Sequence, residues 1–415
     1  MLWYEHERMP ADNFTEFIST YYNACRSINP NIEAIAGKWE REDLIPGLSD
    51  FDARFICRSG TTREQFCQMS QDVGVVHLDL CREYPQWARI LEHLPGVNPL
   101  WHELTEEKYY FPEYCQWTFY HTADEEKLRT STLHLENREF DAQDERFHLL
   151  KFSGYYGFYN KDLDRPVNVA PFQNKYTLHS RIMHYFSPPV QSAMSVITRR
   201  TIRGKKEAFR LALEMYGLSV FKEVLHAVDC HYEVDRLYNE QKQFDLLMKD
   251  TLDFLFKRVC EHVTIISPCA DVAEMKRRLK DASAGSPVAR FIESSKFCRL
   301  LRGRLEFYAN APEHFESDFL IKNELSRAAD MYYRKPYGIF WREWKKEDRA
   351  PDDFISELVP DIITAHQRDA VLAFTELCTQ DISGREKSVS ARAAELFDDV
   401  FIGLDNVRAA LEMIS

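Results

Sequence analysis

The sequence feature that most constrains the fold is a pair of aspartates, Asp50 and Asp52, set in an apolar segment. Leu48 precedes the pair, Phe51 separates its members and Phe55 follows. This pattern predicts a short strand entered from a turn, and side chains two residues apart on a strand point to the same face. We therefore expect the two carboxylates to converge on one point, an arrangement that suits a divalent cation carrying a phosphate.

Regular elements are predicted before and around this pair. Apolar residues at helical spacing predict a helix over 13–28, and a short strand at 33–36 runs into Gly37. The loop that follows contains the turn signal Pro46-Gly47, and a strand is expected over about 50–57.

Downstream of the pair the pattern is less uniform. Thr62 is a candidate cap for a helix, but Gly74 leaves open whether 73–80 continues this helix or forms a strand. A further helix is expected at 85–94 and a further strand at 115–121.

The second half of the chain has a helical pattern. Apolar stripes at helical spacing continue from about residue 205 onward, whereas 130–200 is rich in aromatic residues, proline and asparagine and shows no clear period. These patterns predict an α+β protein. Its expected parts are a domain at 1–130, an irregular connecting region at 131–204 and a helical domain at 205–415.

The stretch from 37 to 52 resembles the signature of the nucleotidyltransferase superfamily, and it is similar in particular to that of aminoglycoside-type small-molecule nucleotidyltransferases. That signature has a glycine after an apolar strand, a loop that often carries an arginine, and a Leu-Ile-Pro-Gly-Leu-Ser-Asp-x-Asp ending. Here Gly37, Arg41 and the run 43–52 match it. The resemblance implies a nucleotidyltransferase-like mixed sheet with flanking helices, followed by a helical C-terminal half.

The resemblance also implies an activity and a set of site residues. Such a protein transfers an NMP group from an NTP such as ATP to a hydroxyl of a small molecule and releases pyrophosphate, with Mg²⁺ as cofactor. Two carboxylates holding the metal neutralise the charge around the phosphorus, and a glycine lets backbone N–H groups approach the triphosphate. The implied metal ligands are Asp50 and Asp52, with Asp79 as a further catalytic acid. The implied nucleotide-binding residues are Gly37, Lys38, Arg41 and Ser49.

Departures from the family pattern keep a second interpretation open. Lys38 stands where the family has serine or glycine, and a lysine there either reaches the triphosphate or fills its pocket. Glu42 replaces a frequent glycine and adds negative charge near an anion site. The third carboxylate is open. Asp79 is one candidate, and the strand at 115–121 is the other natural place, but Gln116 stands there where an acid is expected and Glu113 lies just before it. If Asp79 is on a helix, the third acid is absent. The alternative is therefore a catalytically inactive binding or regulatory protein of the same fold.

The net charge limits the classes of molecule that are expected to bind this protein. The formal charge of −13 disfavours nucleic acid, since contacts to its phosphates need a basic surface. The expected partners are a nucleoside triphosphate and a small-molecule acceptor, with modification of a protein or an RNA end as a less favoured reading. A basic run at 199–206 is expected to form a solvated helix face.

The remaining sequence features bear on the cellular compartment in which the protein is expected. The ten cysteines include no Cys-x-x-Cys pair, which predicts buried thiols rather than a zinc site. No apolar run is long enough to span a bilayer, and the first ten residues have no apolar core of signal-peptide type. We expect a cytoplasmic protein with no membrane partner, and the sequence leaves the oligomeric state open.

Overall fold

The computed structural model describes residues 13–38, 40–44, 49–87, 90–160, 181–229, 241–282, 284–312, 315 and 317–415. The expected turn at Pro46-Gly47 and the first ten residues lie outside these ranges.

Three strands form one small sheet in the N-terminal part of the chain: β1 (Ile32–Gly37), β2 (Ala53–Cys57) and β3 (Thr118–Thr122). The strand order is β2-β1-β3, and β1 runs antiparallel to both neighbours. The prediction of a mixed sheet is therefore wrong for these strands. Parallel pairing in the described residues is limited to an isolated bridge between Cys57 and Leu100.

Helices make up most of the remaining described chain. Those of the first part are α1 (Asn13–Ile28), α2 (Arg63–Glu83), α3 (Trp101–Thr105), α4 (Glu125–Glu136) and α5 (Ala142–Asn160). Those of the middle part are α6 (Ser187–Thr198), α7 (Lys205–Tyr216), α8 (Val220–Asp229), α9 (Gln241–His262) and α10 (Val272–Asp281). Those of the last part are α11 (Pro287–Ser294), α12 (Leu301–Asn310), α13 (Ser317–Ala329), α14 (Lys335–Lys345), α15 (Pro351–Phe354), α16 (Ala365–Thr379) and α17 (Glu386–Ile414). Within the described ranges, every helix is too short or too polar to cross a lipid bilayer.

Helix α2 settles the ambiguity around Gly74 in favour of a helix. The helix begins after Thr62, whose side chain and that of Gln65 form a capping box. Gly74 lies in the helix where α2 meets α12, and a Cβ at this position would sit 3.1 Å from the Cα of Gly303. The glycine therefore permits a close helix contact and does not break the helix.

The hydrophobic cores divide the chain differently from the predicted domains at 1–130, 131–204 and 205–415. One core joins the sheet, α1 and α2 to the helices of the last part, for example through Phe55, Met69, Leu305 and Phe401. A second core lies within 149–279, in α5 to α10. The last helices thus complete the core of the N-terminal sheet. The sequence pattern could not show this, because an apolar stripe on a helix does not specify which element packs against it.

The region expected to be irregular, 131–204, is largely helical in its described residues. Pro188 and Pro189 stand at the start of α6, which continues directly from a π-helical segment, Arg181–Phe186. The aromatic residues that obscured the helical period, such as Phe152 and Phe186, are buried in the second core.

The helix expected over 85–94 is reduced to a single 3₁₀ turn, Pro85–Trp87, in the residues that can be described there. The chain then passes through a turn and bend at 90–93 and continues beside β2 as an irregular segment, residues 94–98. This part of the chain, 90–98, carries side chains that determine the candidate site.

Candidate active site

Asp50 and Asp52 converge, but not as neighbours on a strand: the strand expected over 50–57 begins only at Ala53. They precede β2, while Phe51 between them turns into the core and is 3% exposed. Both carboxylates are half-buried, and each has an oxygen 3.6 Å from Nε2 of His93. The two acids therefore share one face with an imidazole between them.

Backbone hydrogen bonds bring His93 to this place. The backbone N–H of Gly96 donates to the carbonyl of Ala53 at 3.0 Å, and that of Phe55 donates to Oδ1 of Asn98 at 3.0 Å. The guanidinium of Arg304, from α12, donates to the carbonyl of Leu94 at 2.7 Å. The 90–98 segment is thus fixed against β2 on one side and a C-terminal helix on the other.

Asp50, Glu92 and His93 can together hold a metal ion. Each offers one ligand atom, and these atoms lie within 4.8 Å of one another. Two carboxylates suit a hard cation such as Mg²⁺ or Mn²⁺, whereas the imidazole favours Mn²⁺ or another transition ion over Mg²⁺. The sequence analysis did not find Glu92 and His93, although a polar pair between Leu91 and Leu94 just before Pro-Gly is a usable signal.

A buried ion-pair network adjoins the acids. The Arg54 guanidinium lies 3.0 Å from Oε1 of Glu113 and 3.7 Å from Oδ1 of Asp52. Nζ of Lys296 donates to Oε2 of Glu113 at 3.1 Å, and Nζ of Lys38 lies 3.9 Å from the same oxygen. Glu113, and not Asp79, is therefore the acid from later in the sequence that lies near Asp50 and Asp52. Three cationic side chains surround its carboxylate.

These contacts lower the pKa values of both the Glu113 and the Asp52 carboxyl groups. Burial alone would raise the pKa of the Glu113 carboxyl, but Lys296, Lys38 and Arg54 outweigh it and hold that pKa well below its usual range. Burial would likewise raise the pKa of Asp52, but Arg54 and His93 hold it well below its usual range. Both carboxylates are consequently ionised at neutral pH.

Two further lysines reach the site, Lys205 from the start of α7 and Lys151 from α5. Burial lowers the pKa of the Lys205 ammonium, and the nearby charges of Asp43, Asp50 and Asp52 oppose that change. Lys151 donates from Nζ to Oε1 of Gln191 at 3.0 Å. Burial and the charge of Lys38 lower the pKa of Lys151, while Glu113 acts in the opposite direction.

The loop after β1 connects the sheet to the middle helices. The buried carboxylate of Asp43 accepts hydrogen bonds from the backbone N–H groups of Lys205 and Lys206, at 2.6 and 3.0 Å. This contact caps α7, and it fixes Lys205 relative to the acid pair.

Gln116 is buried, and neither of its amide atoms has a hydrogen-bond partner among the described residues. It ends the 3₁₀ helix Pro112–Gln116, in which residues three apart lie on the same side. Gln116 therefore shares a side with Glu113. Leaving such an amide without a hydrogen-bond partner is costly.

The expected nucleotide-binding residues are only partly brought together. Lys38 adjoins the acids, and Ser49 is half-buried directly before Asp50. Arg41 is exposed, and its guanidinium contacts the hydroxyl of Thr15. Gly37 is required by packing, because a Cβ there would lie 2.8 Å from the ring of Phe51.

The two other acids singled out in the sequence lie elsewhere. Asp79 is on α2 with its side chain 66% exposed, and its carboxylate is 3.8 Å from Arg82. Contacts of the described residues do not join Asp79 to the acid pair. Glu42 is also exposed, and Arg210 of α7 donates to both of its carboxylate oxygens at 2.8 and 2.9 Å.

Comparisons of this chain with protein-family models, with curated proteins and with solved structures find no match. Any statement about its function therefore depends on the geometry of this site.

Proposed function

We propose that this chain is a metal-dependent nucleotidyltransferase that moves an NMP group from an NTP to a hydroxyl of a small molecule. One observation carries the proposal: Asp50 and Asp52 meet at His93 while lysines from three parts of the chain lie within electrostatic reach. Carboxylates bind a divalent cation, and lysines bind phosphates. A nucleoside triphosphate with its cation brings both groups together.

In this proposal Asp50, Glu92 and His93 hold the cation, and Asp52 lies beside it. A bound divalent cation supplies charge neutralisation at the phosphates. Mg²⁺ is the cofactor that the resemblance implies, but the imidazole in the group favours Mn²⁺.

Lys38, Lys205 and Lys296 are assigned to the phosphate chain. Their ammonium groups are at least half-buried, so their attraction to phosphate oxygens is screened less than at an open surface. Binding a triphosphate would also offset the cost of holding several cations close together.

The transfer itself requires positioning more than covalent chemistry from the protein. The acceptor oxygen forms a bond to the α-phosphorus, the bond from that phosphorus to the bridging oxygen breaks, and pyrophosphate leaves. The hydroxyl proton goes to solvent or to a neighbouring carboxylate. Gln116, with its unpartnered amide on the side of Glu113, is suited to orient a polar substrate.

One observation favours the alternative, a catalytically inactive binding or regulatory protein. Asp52 already faces two basic groups, Arg54 at 3.7 Å and His93 at 3.6 Å. A carboxylate that is held in this way has less capacity to serve as a second metal ligand.

Pyrophosphate release separates these two proposals. The protein is incubated with ATP or GTP, with Mg²⁺ or Mn²⁺, and with a panel of hydroxylated acceptors. We expect acceptor-dependent pyrophosphate release by the wild type, at least a hundredfold less by D50N/D52N, and an unchanged rate for the control variant D79N.

Tight nucleotide binding without pyrophosphate release from any acceptor would favour the inactive binding protein. Equal release by the wild type and D50N/D52N would contradict the proposed site.

A further inference from the structure

A second basic cleft lies outside the candidate active site. It has a volume of about 530 Å³, and four arginines from two parts of the chain line it: Arg138, Arg199, Arg200 and Arg203. Three of them belong to the basic run that was expected to form a solvated helix face. They instead lie where α6 ends and in the connection to α7.

Neighbouring groups hold the guanidinium groups in position. Arg199 pairs with the carboxylate of Glu145, which is fully buried. The Arg138 guanidinium lies 3.6 Å from the centroid of the Tyr110 ring. Arg203 donates to the carbonyl of Cys115 at 3.1 Å. Because these side chains are already ordered, a ligand would lose little affinity to their immobilisation.

The backbone also contributes to this arrangement. Arg199 follows α6 in the left-handed conformation, with φ of 53°. Glycine or asparagine usually occupies this position, and a larger residue there is strained. Such local strain is common at binding sites, where the surrounding structure maintains it.

The cleft also contains acids that limit its positive charge: Glu136, Glu139 and Asp144. Asp144 accepts a hydrogen bond from the Tyr110 hydroxyl at 2.6 Å, and burial raises its pKa to about 6. Acids also pair with the arginines themselves: Arg138 with Glu107 and Asp141, Arg200 with Glu207, and Arg203 with Glu136. Four arginines nevertheless surround one cleft in a protein of net charge −13.

We infer that this cleft binds a small phosphate-bearing anion. Guanidinium groups match phosphate oxygens with paired N–H donors, and several arginines suit an anion with more than one phosphate. The volume is in the range of small-molecule sites. The cleft does not use Asp50, Glu92 or His93, so this inference stands independently of the proposed activity.

Calorimetry with inorganic pyrophosphate tests the inference. The titration is made in EDTA, so that no divalent cation occupies the first site, and a cooperative urea unfolding transition is required of every variant before it is titrated. R200E reverses a charge at a side chain that is 55% exposed and pairs with Glu207. R203Q retains a donor for the Cys115 carbonyl. The control R210E alters an arginine that is 56% exposed and outside the cleft.

We expect pyrophosphate to bind the wild type, with affinity at least tenfold lower in R200E and about fivefold lower in R203Q. R210E is expected to stay within twofold. Absence of binding to the wild type, or equal affinity in folded R200E and R210E, would overturn the inference. Citrate bound as tightly as pyrophosphate would overturn the assignment to phosphate.

Discussion

Nε2 of His77, in the middle of α2, lies 2.8 Å from the backbone carbonyl oxygen of Leu91. A carbonyl only accepts, so Nε2 carries the proton, and Nδ1 accepts a hydrogen bond from the Tyr21 hydroxyl at 3.0 Å. This buried neutral imidazole anchors the residue directly before Glu92 and His93. The candidate metal ligands are therefore positioned by a histidine that does not itself reach the site.

The first prediction concerns stability against pH. Burial lowers the pKa of His77 to about 3, below its value of 6.5 when exposed, so the unfolded chain takes up this proton first as the pH falls. The contribution of His77 to stability is complete above pH 6.5 and decreases below it, by about 2 kcal/mol at pH 5. Urea unfolding from pH 8 to pH 5 measures this loss.

The variant H77Q supplies the matching control. Glutamine retains a donor for Leu91 but has no titrating group, so we expect a shallower decrease in unfolding free energy between pH 7 and pH 5. The exposed His134 offers a comparison, and H134Q should follow the wild type. An unchanged pH profile in H77Q would contradict the role assigned to His77.

The second prediction concerns the choice of metal. We expect Mn²⁺ to raise the melting temperature more than Mg²⁺ does, because His93 supplies a nitrogen ligand. At a metal concentration one hundred times Kd, the stabilisation amounts to about 2.7 kcal/mol. H93A should lose the preference for Mn²⁺, D50N should lose most of the response to both ions, and D79N should respond like the wild type. Differential scanning calorimetry measures all four proteins.

The third prediction tests the contact between α2 and α12. A Cβ at Gly303 would lie 1.9 Å from the carbonyl oxygen of Ser70, so G303A must separate the two helices. Overpacking of this kind costs roughly 1–3 kcal/mol or more. The matched substitution G154A, in α5, meets no atom within 4 Å and should stabilise the protein slightly. Equal unfolding free energies for the two variants would contradict the shared core.

The fourth prediction concerns Glu113. E113Q leaves Arg54 and Lys296 close together without the carboxylate that both contact, and we expect a loss of about 3–5 kcal/mol in unfolding free energy. Removing one of the cations as well, in E113Q/K296M, should restore part of that loss. E126Q, at an exposed ion pair with Arg129, should leave the unfolding free energy nearly unchanged, because solvent screens the pair.

The sequence predicted the elements whose signal is local. The helix at 13–28 was found because apolar residues recur along it at the helical period. The strand that ends at Gly37 was found as a short run before a glycine, and all six of its residues are buried, without a period of two. The convergence of Asp50 and Asp52 was expected from a strand over 50–57, but β2 begins only at Ala53. These features depend on near neighbours in the chain, which a single sequence displays.

The rest of the site depends on contacts between distant segments. His93 reaches Asp50 through backbone hydrogen bonds of 90–98, and local pattern instead favoured a helix there. Lys151, Lys205 and Lys296 come from three different helical regions, where a lysine usually indicates a solvated face. The antiparallel strand pairing and the packing of the last helices against the sheet also depend on tertiary contacts. The period of apolar residues along the chain does not specify such contacts.

The most direct measurement is calorimetric titration of ATP into the wild type and into D50N/D52N, with Mn²⁺ or Mg²⁺ and again in EDTA. The account predicts that ATP binds the wild type at least tenfold more tightly with a divalent cation than without. It also predicts that D50N/D52N loses this dependence. Binding that needs no cation, or that is equally tight and cation-dependent in D50N/D52N, would contradict the assignment of Asp50 and Asp52 to a nucleotide and metal site.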